Sequence, residues 1–112
     1  MLPPRIVARN ASVTPEVERD IVDRVNRLTR FHERITSCCV TVEIPQRRHL
    51  SDADQYRVRL DIGVPGGEVV IAHQPCAELR TALDEAFSAA RRRIEDVARR
   101  RRAARHRVNE QS

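Results

Sequence analysis

The chain has 112 residues, of which 33% are charged and 40% apolar, with a formal net charge of +5. That length allows one two-layer core and no second one. No apolar run approaches the roughly 18 residues of a membrane span, and the first residues lack the long apolar core of a signal peptide. Three Cys, two of them adjacent, do not make a disulfide framework and predict a reducing, cytoplasmic setting. Aromatic residues are 3% with no Trp, so the core must be aliphatic, and there is little material for stacking on splayed bases.

Arg5, Ile6, Val7 and Ala8 form a short apolar run ended by Arg9 and Asn10, which predicts a first strand. Thr14 and Pro15 then supply an N-cap and a Pro at the first helical position, with Glu16, Glu18 and Asp20 near the positive end of the helix dipole. Val17, Ile21, Val25, Leu28 and Phe31 keep helical spacing through His32, with Arg19, Arg27 and Arg30 on the far side. From Ile35 the period changes to two. Cys38, Val40, Val42 and Ile44 share one face of a strand closed by Pro45. Gln46 to Asp54, with Arg47, Arg48 and His49, is polar and aperiodic and predicts a mobile loop.

Tyr56, Val58, Leu60, Ile62 and Val64 alternate with Arg57, Arg59, Asp61 and Gly63 for a third strand. Pro65, Gly66 and Gly67 mark a turn, and Glu68 to His73 returns as a fourth strand. After Pro75 comes a long helix, Leu79 to Arg102. Its apolar stripe is Leu79, Ala82, Leu83, Ala86, Phe87, Ala90, Ile94, Val97 and Ala98. The stripe stops after Ala98, because Arg101 falls where the next apolar residue belongs. Residues 103–112 predict a flexible basic tail, so the domain is expected to span 1–102.

The order β-α-β-β-β-α predicts an α+β fold with a four-stranded sheet and both helices on one face. Thr41, Glu43, Arg57, Arg59 and Asp61 are left on the other. If the first two strands are neighbours, a right-handed crossover makes them parallel.

Charge is segregated along this order. Residues 1–78 balance 11 Arg against 11 acids, whereas residues 79–112 hold 10 Arg and 5 acids. On the long helix, Arg91, Arg92, Arg93, Arg99, Arg100 and Arg102 are the cations that can meet a partner, and the run continues into Arg105 and Arg107. A neutral body carrying a cationic helix is an electrostatic footprint for a polyanion. RNA is favoured over DNA, since no helix-turn-helix or finger pattern is present.

Catalytic signals are missing. Cys38, Cys39, Cys76 and His73 lack metal-ligand spacing, and the adjacent Cys side chains point to opposite faces of a strand. A His73 and Cys76 pair has no accompanying oxyanion hole, and the Pro-Gly-Gly turn is followed by no phosphate-loop motif. No enzyme activity, metal, cofactor or small-molecule substrate is expected.

With this organisation, the chain resembles the ribosome hibernation-promoting factor family, which includes the ribosome-associated inhibitor Y proteins and is also known as the sigma-54 modulation family. The likeness rests on Val13 and Thr14 ahead of the helix ending Leu28-Thr29-Arg30-Phe31, and on the Ile35 to Ile44 strand. It rests further on Val64 through Val70 and on Ala82-Leu83-Asp84 with Ala90 to Arg93. It implies a short-form member with a layout like a double-stranded RNA-binding domain. It also implies binding to rRNA of the small ribosomal subunit, where it occludes the mRNA and tRNA channel and silences translation. Family basic positions match Arg27, Arg30 and Arg92, with Arg91, Arg93 and Arg99 beside them. A monomer or weak homodimer is expected. The alternative from another class is a protein-interaction module that uses the sheet face or its edges, with the Arg helix serving solubility.

Overall fold

A computed structural model describes residues 3–45, 55–72 and 74–111 of the chain. The loop with Arg47, Arg48 and His49, and the strand-end His73, lie outside the described residues. In order, the elements are β1 (Arg5–Arg9), α1 (Pro15–Phe31), β2 (Ser37–Glu43), β3 (Arg57–Val64), β4 (Gly67–Ala72) and α2 (Leu79–Gln111). The strands lie side by side in chain order, β1-β2-β3-β4. β1 runs parallel to β2 across the α1 crossover, while β2-β3 and β3-β4 are antiparallel. This is the predicted α+β architecture. Tyr56 stands just outside β3, in a bridge to Cys76 that ties the end of the loop to the start of α2.

Local chemistry accounts for the element ends. The Thr14 hydroxyl accepts from the Val17 amide at 3.2 Å, with Pro15 opening α1, and the His32 amide closes it by donating to Leu28 O at 3.1 Å. In the β3-β4 hairpin, Pro65 precedes Gly66 at φ +85°, the combination a type II turn requires. A side chain at Gly66 would be strained by that φ and would run into the Arg101 guanidinium. Gly66→Ala is therefore expected to cost about 1–2 kcal/mol and to dislodge Arg101. Gly67→Ala, with open space around its Cβ, is the matched control in a urea titration. A Gly66→Ala variant as stable as the control would refute the strained turn.

Both helices cover one sheet face. Val40, Val42, Val58, Leu60 and Ile62 from the central strands meet Ile21 and Val25 of α1 and Leu83, Ala86 and Ala90 of α2, all at 1% exposure or less. No polar or charged residue is buried among the described residues, so the core is the aliphatic layer the composition demands. The opposite face carries Thr41, Glu43, Arg57, Arg59 and Asp61 together with Arg5, Arg9 and Cys39, as the alternation predicts.

Two expectations are corrected. Phe31, placed in the apolar stripe of α1 by spacing, is 70% exposed. At 100° per residue it sits some 80° from Ile21, on the flank toward α2 rather than beneath the helix. The second concerns the tail. α2 does not end at Arg102 but stays helical to Gln111, because Arg and Ala are strong helix formers and no Gly or Pro intervenes. A helix of 33 residues is about 50 Å long, so it extends beyond the sheet along the molecule's 63 Å axis.

Cys38 and Cys39 face opposite sides of β2, and all three cysteines are free thiols. Burial first, then the neighbouring Cys39 and Asp61, pushes the Cys38 thiol from 9.0 to about 11. The neutral thiol therefore supports the fold below about pH 9, and that support is lost as pH rises toward 11, roughly 2–3 kcal/mol in all. Cys38→Ala is expected to show a smaller fall in urea midpoint between about pH 8 and 11 than the parent. An equal fall would mean that Cys38 does not titrate in this range.

Candidate nucleic-acid interface

The end of α1 and the middle of α2 form one surface because Arg24 joins the helices. Its guanidinium bonds Asp20 at 3.1 Å on its own helix and Asp84 at 2.6 Å on α2, and its side chain is only 15% exposed. Burial alone would lower its pKa, but the hydrogen bonds and charges of the two carboxylates outweigh that and leave it raised. Arg24 is thus a structural cation, occupied on both sides.

Beyond this tie a groove of about 310 Å³ runs between the helices, bordered by Arg27, Phe31 and Arg91 over Leu28 and Phe87. It continues into a groove of about 460 Å³ between the end of α1, the β3-β4 turn and α2. Arg30, Arg34, Arg101, Arg102 and Arg105 surround this second groove against a single carboxylate, Glu33, above a floor of Ile35, Val64, Ile94 and Val97. Arg101 is half-buried, with its guanidinium folded over Gly66, as befits a cation in the phase of the apolar stripe.

The eight arginines singled out from the sequence do not form one patch. Arg27 and Arg91 meet in the interhelix groove, and Arg30 and Arg102 meet in the end groove. Arg92, Arg93 and Arg99 turn to the other flank of α2, beside Val70, Ile71 and Ala72 of β4. Arg99 and Arg100 share Asp96 at 3.8 and 3.2 Å, and Arg91 pairs with Glu95 at 3.3 Å. Exposed pairs of this kind add little stability. They do decide which cations already have a counter-charge. Among the described residues no carboxylate pairs with Arg27, Arg30, Arg92, Arg93 or Arg102, nor with Arg105 of the same cationic run, nor with Arg34 and Arg101, which spacing alone does not mark as part of the site. The Arg107 side chain lies outside what the structure describes.

Phe31 stands where the two grooves meet, with the Arg91 guanidinium 5.9 Å from its ring centroid. Behind it, His32 Nε2 is buried without a hydrogen-bond partner, 4.0 Å from Glu95. The open sheet face contrasts with the helix side. There Glu43 lies between Arg9 and Arg57 in register, and Arg59 reaches Asp61 at 3.1 Å. Elsewhere, desolvation and a 3.5 Å hydrogen bond to Glu85 push the Cys76 thiol pKa up, the opposite of what a nucleophile needs. No cluster of three potential metal ligands occurs among the described residues.

Together these features define a small α+β module with a shaped, arginine-rich surface on its helix side. The chain belongs to the family of sigma 54 modulation proteins and S30EA ribosomal proteins, whose family model matches residues 5–102. That description names a modulator and a ribosomal protein rather than a reaction. The chain is similar to the ribosome hibernation promotion factor of Deinococcus radiodurans, with 27% identity over 90 residues, covering 80% of this chain and 46% of the relative. It thus spans about half the length of that curated relative.

Two solved structures share the fold. A ribosomal subunit interface protein from Coxiella burnetii matches with a TM-score of 0.71 at 8% identity, covering 84% of this chain and 94% of the other. The N-terminal domain of Thermus thermophilus Protein Y matches with a TM-score of 0.69 at 18% identity, covering 87% and 99%. At these identities the likeness shows the fold alone.

Proposed function

We propose that this protein is a ribosome hibernation factor that binds rRNA of the small ribosomal subunit through its helix side and silences translation by occluding the mRNA and tRNA channel. One observation carries the reading: Arg27, Arg30, Arg34, Arg101, Arg102 and Arg105, none paired with a carboxylate among the described residues, converge around the end of α1 and the part of α2 that faces it. RNA phosphates supply the missing counter-charge, and each one neutralised releases condensed counterions. Family membership and the name of the D. radiodurans relative point to the ribosome as the source of that RNA. No covalent step is needed. A folded cationic wedge competes with tRNA and mRNA for one site, with no cofactor or small-molecule substrate.

In this reading the domain spans residues 1–102, Arg105 on the continued helix adds to its binding surface, and the protein works in the cytoplasm as a monomer or weak homodimer. No helix among the described residues is long and apolar enough to cross a membrane. The competing surface, the open sheet face, offers a weaker field because its carboxylates sit among its arginines. Co-sedimentation with isolated small and large subunits across a salt series tests the proposal. Saturable binding to the small subunit alone, weakened by salt and competed by tRNA, is the expected result. Equal binding to both subunits, or none at low salt, would overturn it.

A further inference from the structure

Phe31 is one of only two phenylalanines in the chain and leaves 70% of its surface in water, while Phe87 is buried. It borders both cationic grooves, with Arg27 and Arg91 on one side and Arg30 and Arg102 on the other. The Arg91 guanidinium, at 5.9 Å from the ring centroid, is near the outer limit of a cation-π contact, so it leaves the ring unsealed. Its Nε is held by Glu95 at 3.3 Å, which orients the guanidinium and leaves its outer N–H groups free to donate. Stacked bases are spaced about 3.4 Å apart, so a base between ring and guanidinium needs about 7 Å. A swing of roughly 1 Å by a long, exposed Arg side chain makes that room.

We propose that Phe31 is a stacking platform for one unpaired RNA base, sandwiched against Arg91, with the flanking phosphates held by Arg27 on one side and by Arg30 and Arg102 on the other. The proposal rests on the helix-side RNA-binding reading and makes it more specific. A base within a duplex has both faces covered by its neighbours and cannot reach the ring, whereas an unpaired base can be splayed onto it. The surface therefore selects an unstacked nucleotide within RNA. Charge alone would make no such choice.

The test uses the whole chain and its Phe31→Ala, Phe31→Leu and Phe31→Trp variants. The probes are a single-stranded oligoadenylate, an RNA duplex of similar length, and isolated small subunits. Because Phe31 lies outside the core, each variant is expected to keep the parent melting temperature. Loss of one stacked base weakens oligoadenylate binding by about 5- to 100-fold in both the Ala and the Leu variant. The slope of log affinity against log salt stays unchanged, since no phosphate contact is removed. Duplex binding is unaffected.

Phe31→Trp restores affinity, and its indole, the only one in the chain, is quenched when oligoadenylate binds. Ala and Leu variants that bind oligoadenylate within twofold of the parent would overturn the proposal, as would an unquenched indole or a parent that fails to bind oligoadenylate at low salt. Small-subunit binding separates this from the reading beneath it. If the parent and the Phe31 variants co-sediment equally and no quenching occurs, stacking fails and the ribosome assignment survives. If the parent ignores the subunit yet the Phe31→Trp indole is quenched by oligoadenylate, the assignment fails and the stacking site stands.

Discussion

Replacing Arg30, Arg102 and Arg105 together by Ala is expected to lower small-subunit affinity on the order of 100-fold at about 0.15 M salt, and to reduce the salt slope by about 2 to 3. These three rim the end groove and have no carboxylate partner among the described residues, so each is free to neutralise a phosphate. Each such contact contributes about 0.7 to 0.9 to the slope, which sets the size of the effect. Replacing Arg99 and Arg100 should cost less than tenfold, because both lean on Asp96 and face away from the grooves or beside them. Asp96→Asn releases that pair and is expected to change binding by no more than a few-fold, with the slope unchanged, since neither arginine lines the grooves. If the Arg99 and Arg100 variant proves the more damaging, RNA lies on the β4 flank of α2 and the grooves are not the interface.

Leu60→Ala is expected to remove about 3 kcal/mol of stability, lowering the melting temperature by roughly 10–25 °C. Leu60 is fully buried at the centre of the sheet, between Val40 of β2 and Ile71 of β4 in register, and it faces the helices. With no polar or charged residue buried among the described residues and only two phenylalanines in the chain, cohesion depends on such aliphatic contacts. The hydrogen-bonded strands on either side hold the Leu60 backbone in place, so the cavity left by a shortened Leu closes only in part. A domain of this size has only about 5–15 kcal/mol in hand. Thr41→Ala, on the open face of the neighbouring strand, should shift stability by less than about 0.5 kcal/mol. A thermal melt comparing the two variants checks this. A Leu60→Ala shift of only a few degrees would mean that the helices do not rest on this layer.

Legibility varied with the range of the interactions involved. The Thr14-Pro15 cap, the alternation of β2 and β3 and the stripe of α2 are local patterns, and each element appears within a residue or two of its expected bounds. The exception is the C-terminal end of α2. Spacing marks where the helix loses the core, not where its backbone hydrogen bonds stop, and beyond Ala98 only helix propensity carries it to Gln111. Phe31 shows the same limit. Helical spacing groups it with Val25 and Leu28, yet a flank position is buried or exposed according to what the neighbouring helix places over it, and here that is Arg91.

What the residues by themselves determined is the β-α-β-β-β-α order, the aliphatic core, the open polar face and the concentration of positive charge in the last third. Each follows from side-chain period and composition, which are properties of contiguous chain. Only the tertiary structure decided which arginines act together. Arg30 and Arg34 come from the end of α1, Arg101, Arg102 and Arg105 from α2, and Val64 and Pro65 from the hairpin between them. Whether an arginine already holds a carboxylate likewise depends on neighbours in space, as Arg24 shows by reaching Asp84 on the other helix while Arg27, one turn on, stands open beside the groove. Coulomb attraction acts across space and not along the chain, so the shape of a charged surface is settled only when the helices pack.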